Sequence, residues 1–149
     1  MNRFGLAFHH LGLAARDPPT ARLFLEGLGY RIEEPVFDPE QNVNLVMASH
    51  ERMPAVEIIW SAGNAGPVDK MLEKHTKGII YHVCYVSEDL PASLQAFADA
   101  GLEPFCISPP TKAILFGGHP VSFYAVKGIG LIEIIEGLPS NPASAALAA

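Results

Sequence analysis

Residues 8–17 read FHHLGLAARD and residues 80–89 read IYHVCYVSED, and the likeness does not stop there. Moving the chain by 72 positions lays His10 on His82, Asp17 on Asp89, Pro19 on Pro91 and Gly29 on Gly101 with no gap. Apolar positions keep the same register, pairing Phe8 with Ile80, Leu11 with Val83, Leu13 with Tyr85 and Leu25 with Phe97. Self-similarity sustained at one period marks a supersecondary unit built twice, so the fold must accommodate two like halves.

Each copy reads as strand, cap, helix and stop. Asp17 and Asp89 stand where a carboxylate accepts the orphan amide hydrogens of a first helical turn, and the proline that follows lacks a donor where none is needed. Ala21, Phe24, Leu25 and Leu28 recur at helical spacing, as do Leu90, Leu94, Phe97 and Gly101 more weakly, which predicts one buried stripe per helix. Gly29 and Gly101 supply left-handed stops. Strands are then expected at about 30–35, 43–48 and 55–60 in the first copy. In the second they are expected at about 102–107, 112–116 and 121–126, the last running on into 130–136. Between them lie the turn-rich stretches DPEQN, SHERMP, SPPT, GGHP and KGIG. The expected fold is therefore α+β: two tandem βαβββ modules, about 6–61 and 78–137, forming a curved mixed sheet around a central cavity. They form one domain over 1–137, with Val68, Met71 and Leu72 marking a short helix in the linker 62–77 and a flexible tail over 138–149.

Composition narrows the partners. The 149 residues carry a net charge of −6 with no Lys/Arg cluster, which argues against nucleic acid and against an anionic membrane surface. No apolar run reaches the roughly 18 residues of a membrane helix. The opening MNRFGLAFHH lacks the pattern of a secretory leader, so a cytoplasmic protein acting on a small molecule is expected. Cys84 and Cys106 are too few for a disulfide framework and read as reduced thiols, with Cys84 on the face of His82 two residues away.

The last strand of each half repeats as well, now at a shift of 76: VEIIW at 56–60 lies on IEIIE at 132–136, placing Glu57 on Glu133. A carboxylate flanked by Val and Ile is costly to bury and persists when paired, hydrogen-bonded or bound to a metal. Two such glutamates, matched with two histidines on first strands, share an economical explanation. His10, Glu57, His82 and Glu133 together form a donor set suited to a divalent ion such as Ni²⁺, Co²⁺, Zn²⁺, Fe²⁺ or Mn²⁺, with positions left open for a substrate. His9 and Tyr81 alternate onto the opposite face. His50 and His75 are expected on solvated surface, and His119, in GGHPVSF, is a candidate substrate contact at a strand entry. No GxSxG elbow, P-loop lysine pattern, GxGxxG turn or CxxC pair is present.

A duplicated βαβββ unit with His near the start and Glu at the end of each copy resembles the vicinal oxygen chelate superfamily, over roughly residues 7–137. In detail, HLGLA, DPEQNV, GPVDKMLEKHTKG leading into YHVCYV, and GLIEIIE are similar to methylmalonyl-CoA epimerases. That resemblance implies metal-ligand roles for His10, His82 and Glu133, and for Glu57 at a position where epimerases often carry glutamine and bacterial glyoxalase I carries glutamate. It also puts Leu45 at the place of the epimerases' proton-abstracting glutamate, and Ala14 where glyoxalase I typically has an arginine for glutathione. The implied activity is a metal-dependent isomerase or epimerase that enolises a small carbonyl or acyl-thioester substrate, with Glu133 as its base and Leu45, Cys84 and His119 near the substrate. A glyoxalase I-like lyase, a non-catalytic small-molecule-binding protein and an oxygenase are the alternatives. A homodimer is expected by resemblance.

Overall fold

The computed structural model describes residues 2–63 and 65–139, so the tail expected beyond 137 falls almost wholly outside the described residues. Along the chain the elements are β1 (Leu6–Ala14), α1 (Pro18–Gly27), β2 (Arg31–Ile32), β3 (Val36–Asp38), β4 (Val43–Ser49), β5 (Val56–Ser61), α2 (Pro67–Lys74), β6 (Ile79–Ser87), α3 (Leu90–Asp99), β7 (Phe105–Lys112), a 3₁₀ turn (Ile114–Phe116), β8 (Pro120–Val126) and β9 (Gly130–Glu136). The mixture of helices with parallel and antiparallel strand pairs is the α+β class expected. Among the described residues no helix is long and apolar enough to cross a membrane.

The chain separates into two compact units, one of residues 10–81 and one of residues 1–9 with 82–149, so both β1 and β6 are divided between units. In the first unit the strand order is β2-β4-β5-β1, with β3 paired to β4, β5 antiparallel to β4, and β1 parallel to β5. In the second it is β6-β9-β8-β7, with β6 parallel to β9 and the remaining pairs antiparallel. Each parallel pair is bridged through a helix that covers one sheet face. Leu25 and Tyr30 pack on Val46, Ala48, Val56 and Ile58 in the first unit. Leu90 and Phe97 pack on Tyr124, Val126, Ile132 and Ile134 in the second, where Phe4 also stacks on Phe97 at 4.8 Å.

Helix boundaries repeat bond for bond. Asp17 Oδ1 accepts from the Thr20 amide at 3.1 Å, and Asp89 Oδ1 from the Ala92 amide at 3.0 Å. At the other ends, Gly29 and Gly101 take φ of +94° and +74°. There the amides of Gly29 and Tyr30 donate to Glu26 and Leu25, and those of Gly101 and Leu102 to Ala98 and Phe97, so each helix closes in a Schellman motif.

Local structure departs from expectation in three places. Only Leu25 of the expected α1 stripe is fully buried, at 6% exposure, whereas Phe24 is 67% and Leu28 44% exposed. The helix meets the sheet through Leu25, with Ala21 packed beside it, and turns Phe24 and Leu28 away from that contact. The segment expected as strand 102–107, turn and strand 112–116 is instead one edge strand, β7, that runs through Pro109 and Pro110 with register shifts, then a 3₁₀ turn. Proline costs no ladder bond on an outer edge, and the bulges absorb the missing donors. Finally, β3 is an added strand between the expected strand 30–35 and the turn DPEQN, overlapping that turn only at Asp38, which is buried and accepts the amides of Glu40 and Gln41 at 2.9 and 3.2 Å, closing the turn directly after the strand.

Candidate metal centre

Strand pairing decides which side chains meet. In the first unit Gly12 of β1 lies across from Glu57 of β5, and Met47 of β4 lies on the other side of Glu57. Because side chains alternate, His10, Gly12, Glu57, Met47, Leu45 and Ile59 share the face turned away from α1. His10 and Glu57 are 0% and 3% exposed, and His10 Nε2 stands 3.6 Å from Glu57 Oε2.

The second unit repeats this arrangement. Cys84 lies across from Glu133, Phe123 lies on Glu133's other side, and His82 precedes Cys84 by two residues on the same face. His82 and Glu133 are each 2% exposed, with His82 Nε2 3.8 Å from Glu133 Oε1 and the His82 ring edge-on to Phe123 at 5.4 Å. Burial pulls the His82 pKa down to about 4, so at neutral pH its imidazole is uncharged, the form in which a nitrogen lone pair can coordinate a cation.

Each unit thus holds one imidazole and one carboxylate in a sealed apolar setting. Nitrogen with oxygen is a suitable donor chemistry for the borderline divalent ions, and each pair brings one of each within 4 Å in a buried position. These residues therefore fit a metal.

The remaining candidates are more varied. Leu45 is 3% exposed, between Val36 and Ile59 in the ladder, and has no group that accepts a proton. Cys84 is fully buried and Cys106 exposed. His119 stands at the entry to β8, where its Nδ1–H donates to the Glu136 carbonyl at 3.1 Å and ties that entry to the end of β9. His9 is half-buried with its ring edge-on to Phe116, and burial lowers its pKa. His75 is an exposed helix end, but His50 corrects the surface expectation: its Nδ1 accepts the amides of Arg52 and Met53 at 3.0 Å each, and its ring packs on Tyr30 at 5.1 Å. Met47 and Phe123, which flank the two glutamates, were not singled out from the sequence. A second reading of the 76-residue shift would have found them, since it lays one on the other.

Residues 9–123 match the family profile described as the Glyoxalase/Bleomycin resistance protein/Dioxygenase superfamily. The ethylmalonyl-CoA/methylmalonyl-CoA epimerase of Cereibacter sphaeroides is 26% identical over 121 residues, covering 77% of this chain and 89% of that protein. The mitochondrial methylmalonyl-CoA epimerase of Dictyostelium discoideum is 27% identical over 131 residues, covering 86% and 76%. Among solved structures, methylmalonyl-CoA epimerase from Mycobacterium tuberculosis aligns with a TM-score of 0.70 at 16% identity, covering 89% of each chain. A methylmalonyl-CoA epimerase solved in complex with methylmalonyl-CoA and NH4+ aligns at 0.65 and 19%, covering 91% of this chain and 96% of its own.

Proposed function

Because the chain belongs to the Glyoxalase/Bleomycin resistance protein/Dioxygenase superfamily, we propose that it is a metal-dependent isomerase or epimerase-type enzyme that enolises a small carbonyl or acyl-thioester substrate, with His10, Glu57, His82 and Glu133 as the ligands of one divalent ion. The carrying observation is the duplicated pair: one buried histidine beside one buried glutamate in each unit, at sequence positions related by the internal repeat. The similarity to acyl-CoA epimerases supports an acyl thioester as the substrate class.

When bound, the ion would supply Lewis-acid stabilisation of the negative charge that develops on the substrate's carbonyl oxygen, worth several kcal/mol of barrier. Glu133 takes the proton from the carbon next to that carbonyl onto a carboxyl oxygen, where it exchanges with solvent before a proton is returned. His82, uncharged at neutral pH, does not compete for that proton. With leucine at position 45, removal and return run through one carboxylate on one face, which supports α-proton exchange or a proton shift between neighbouring atoms of the enolate and so favours the isomerase form of this reading over inversion at one carbon.

The test has two arms. Protein purified without chelator is expected to retain close to one divalent ion per chain, and His82→Ala to lose it. Metal-loaded protein is expected to exchange the α-proton of acyl thioesters such as methylmalonyl-CoA or propionyl-CoA with deuterium from solvent, with Glu133→Gln at least about 100-fold slower, the usual worth of a general base. Loss of metal retention would remove the site; metal without exchange in any acyl thioester would remove enolisation. A second reading, a binding protein that turns nothing over, is favoured by Leu45 alone, and ligand binding that survives metal removal would support it.

A further inference from the structure

Apart from the histidine–glutamate pairs, the first unit holds an open cleft of about 350 Å³ at the carboxyl ends of two adjacent parallel strands. Arg16 follows β1, Trp60 and Ser61 close β5, and Asp69, Leu72 and Glu73 come from α2. We propose that this cleft is a second binding site, for a zwitterionic amino acid with an apolar or aromatic side chain. It is independent of the metal-centred reading, since it uses none of its residues.

Three features select that chemistry. First, the walls carry opposite charges that are not joined: Arg16 donates through Nη1 to the Leu72 carbonyl at 3.2 Å, and no ion pair between Arg16 and Glu73 exists among the described residues. That bond holds the guanidinium at the rim and leaves its other N–H groups to meet a carboxylate, for which its fork is shaped. Glu73, one residue beyond Leu72, is exposed and offers its carboxylate to an ammonium. Second, Asp69 is already engaged. Its Oδ2 accepts the Gly66 amide at 2.8 Å, and hydrogen bonds from the Ser61 side chain and the Gly66 amide hold its pKa below the usual carboxylate range. Asp69 therefore locks the N-terminus of α2 to the end of β5 and leaves Glu73 as the uncommitted acid. Third, the indole of Trp60 is half-buried and lines the same cleft over a floor made by Leu72, which gives an apolar side chain a surface to cover. A ligand of one charge alone would meet only one of Arg16 and Glu73, whereas the two termini of an amino acid meet both.

Trp60 is the single tryptophan of the chain, so a ligand-dependent change in indole emission comes from this residue, which lines the cleft. Calorimetry and Trp60 emission are read together while L-phenylalanine is titrated to about 10 mM, the range where a small ligand with a few contacts binds. Phenethylamine and 3-phenylpropionate, which each keep one charge, serve as comparisons. Saturable heat with a matching emission change is expected for phenylalanine, with both single-charge analogues at least about tenfold weaker, the cost of one lost charge-assisted bond. Arg16→Gln and Glu73→Gln, both at exposed positions that leave the fold intact, are expected to weaken phenylalanine by a similar factor. Arg16→Gln should leave phenethylamine unaffected, and Glu73→Gln should leave 3-phenylpropionate unaffected. The proposal is overturned by the absence of saturable heat, by heat without a Trp60 response, by equal affinity for the three ligands, or by variants that bind phenylalanine unchanged.

Discussion

Alanine at position 78 tests whether the backbones leading to the first unit's histidine strand and to β6 approach as closely as the structure shows. Gly78 sits at φ +90° just ahead of β6, and a Cβ built there would lie 2.9 Å from the Ala14 carbonyl oxygen and 3.9 Å from the Ala15 Cα. Two costs add. The left-handed conformation charges an L-residue about 1–2 kcal/mol. The contact adds roughly 1–3 kcal/mol of overpacking, because the obstacle is backbone and not the end of a flexible side chain. That backbone is also held in place: the Ala15 amide donates to Ile59 at 2.8 Å, so the carbonyl retreats only by pulling on the β1–β5 pairing. The sum is about 2–5 kcal/mol, or a Tm lowered by roughly 5–15 °C in a chain of this size. Two further glycines separate the terms. Gly128, at φ +85° with nothing within 4 Å of its Cβ, should lose only the conformational part on Gly128→Ala, about 1–2 kcal/mol. Gly27, inside α1 with open space around its Cβ, should gain up to about 1 kcal/mol from the better helix former. Urea unfolding midpoints at unchanged slope measure all three. If Gly78→Ala loses no more than Gly128→Ala, the close approach does not exist and the reasoning fails.

Other expectations are shorter to state. His82 is held at a pKa of about 4 against 6.5 when unfolded, so the folded state binds its proton later. Stability from this group is complete above about pH 6.5 and is lost as pH falls through 4, by roughly 3 kcal/mol at 1.36 kcal/mol per unit. Urea titrations in chelator between pH 7 and 4 should show this loss, and a slope unchanged in His82→Gln would refute it. Asp17→Ala and Asp89→Ala each remove the same helix cap and should each cost about 1 kcal/mol, with the double variant close to the sum because the caps lie in different units. A coupling above about 0.5 kcal/mol in the unfolding data would contradict their independence.

The internal repeat made most of this architecture legible before any coordinates. It located the caps, the Schellman stops and the strands that carry His10, Glu57, His82 and Glu133, because each depends on interactions within about one helical turn or one strand. Features set by distant partners escaped it. Whether β7 tolerates Pro109 and Pro110 depends on its being an edge, and whether Phe24 is covered depends on which face the helix turns to the sheet; neither is a local property. The same holds for the site. That a histidine and a glutamate 47 residues apart, or 51 apart in the second half, stand together follows from the pairing of Gly12 with Glu57 and of Cys84 with Glu133.

That register also separates what the two halves share from what they do not. The glutamates and histidines coincide under the repeat, whereas their ladder neighbours differ: Gly12 against Cys84, Met47 against Phe123, Leu45 against Val121. None of those neighbours is a carboxylate or an imidazole, and the fully buried Cys84 thiol is the one ionisable group among them. On the proposed reading, proton transfer on these faces falls to the repeated carboxylates, and discrimination among substrates falls to the unequal neighbours, glycine and methionine beside Glu57 and cysteine and phenylalanine beside Glu133. If the neighbours select the substrate, Gly12→Ala is expected to change ligand affinity while metal content is kept, which binding measured alongside metal content would separate.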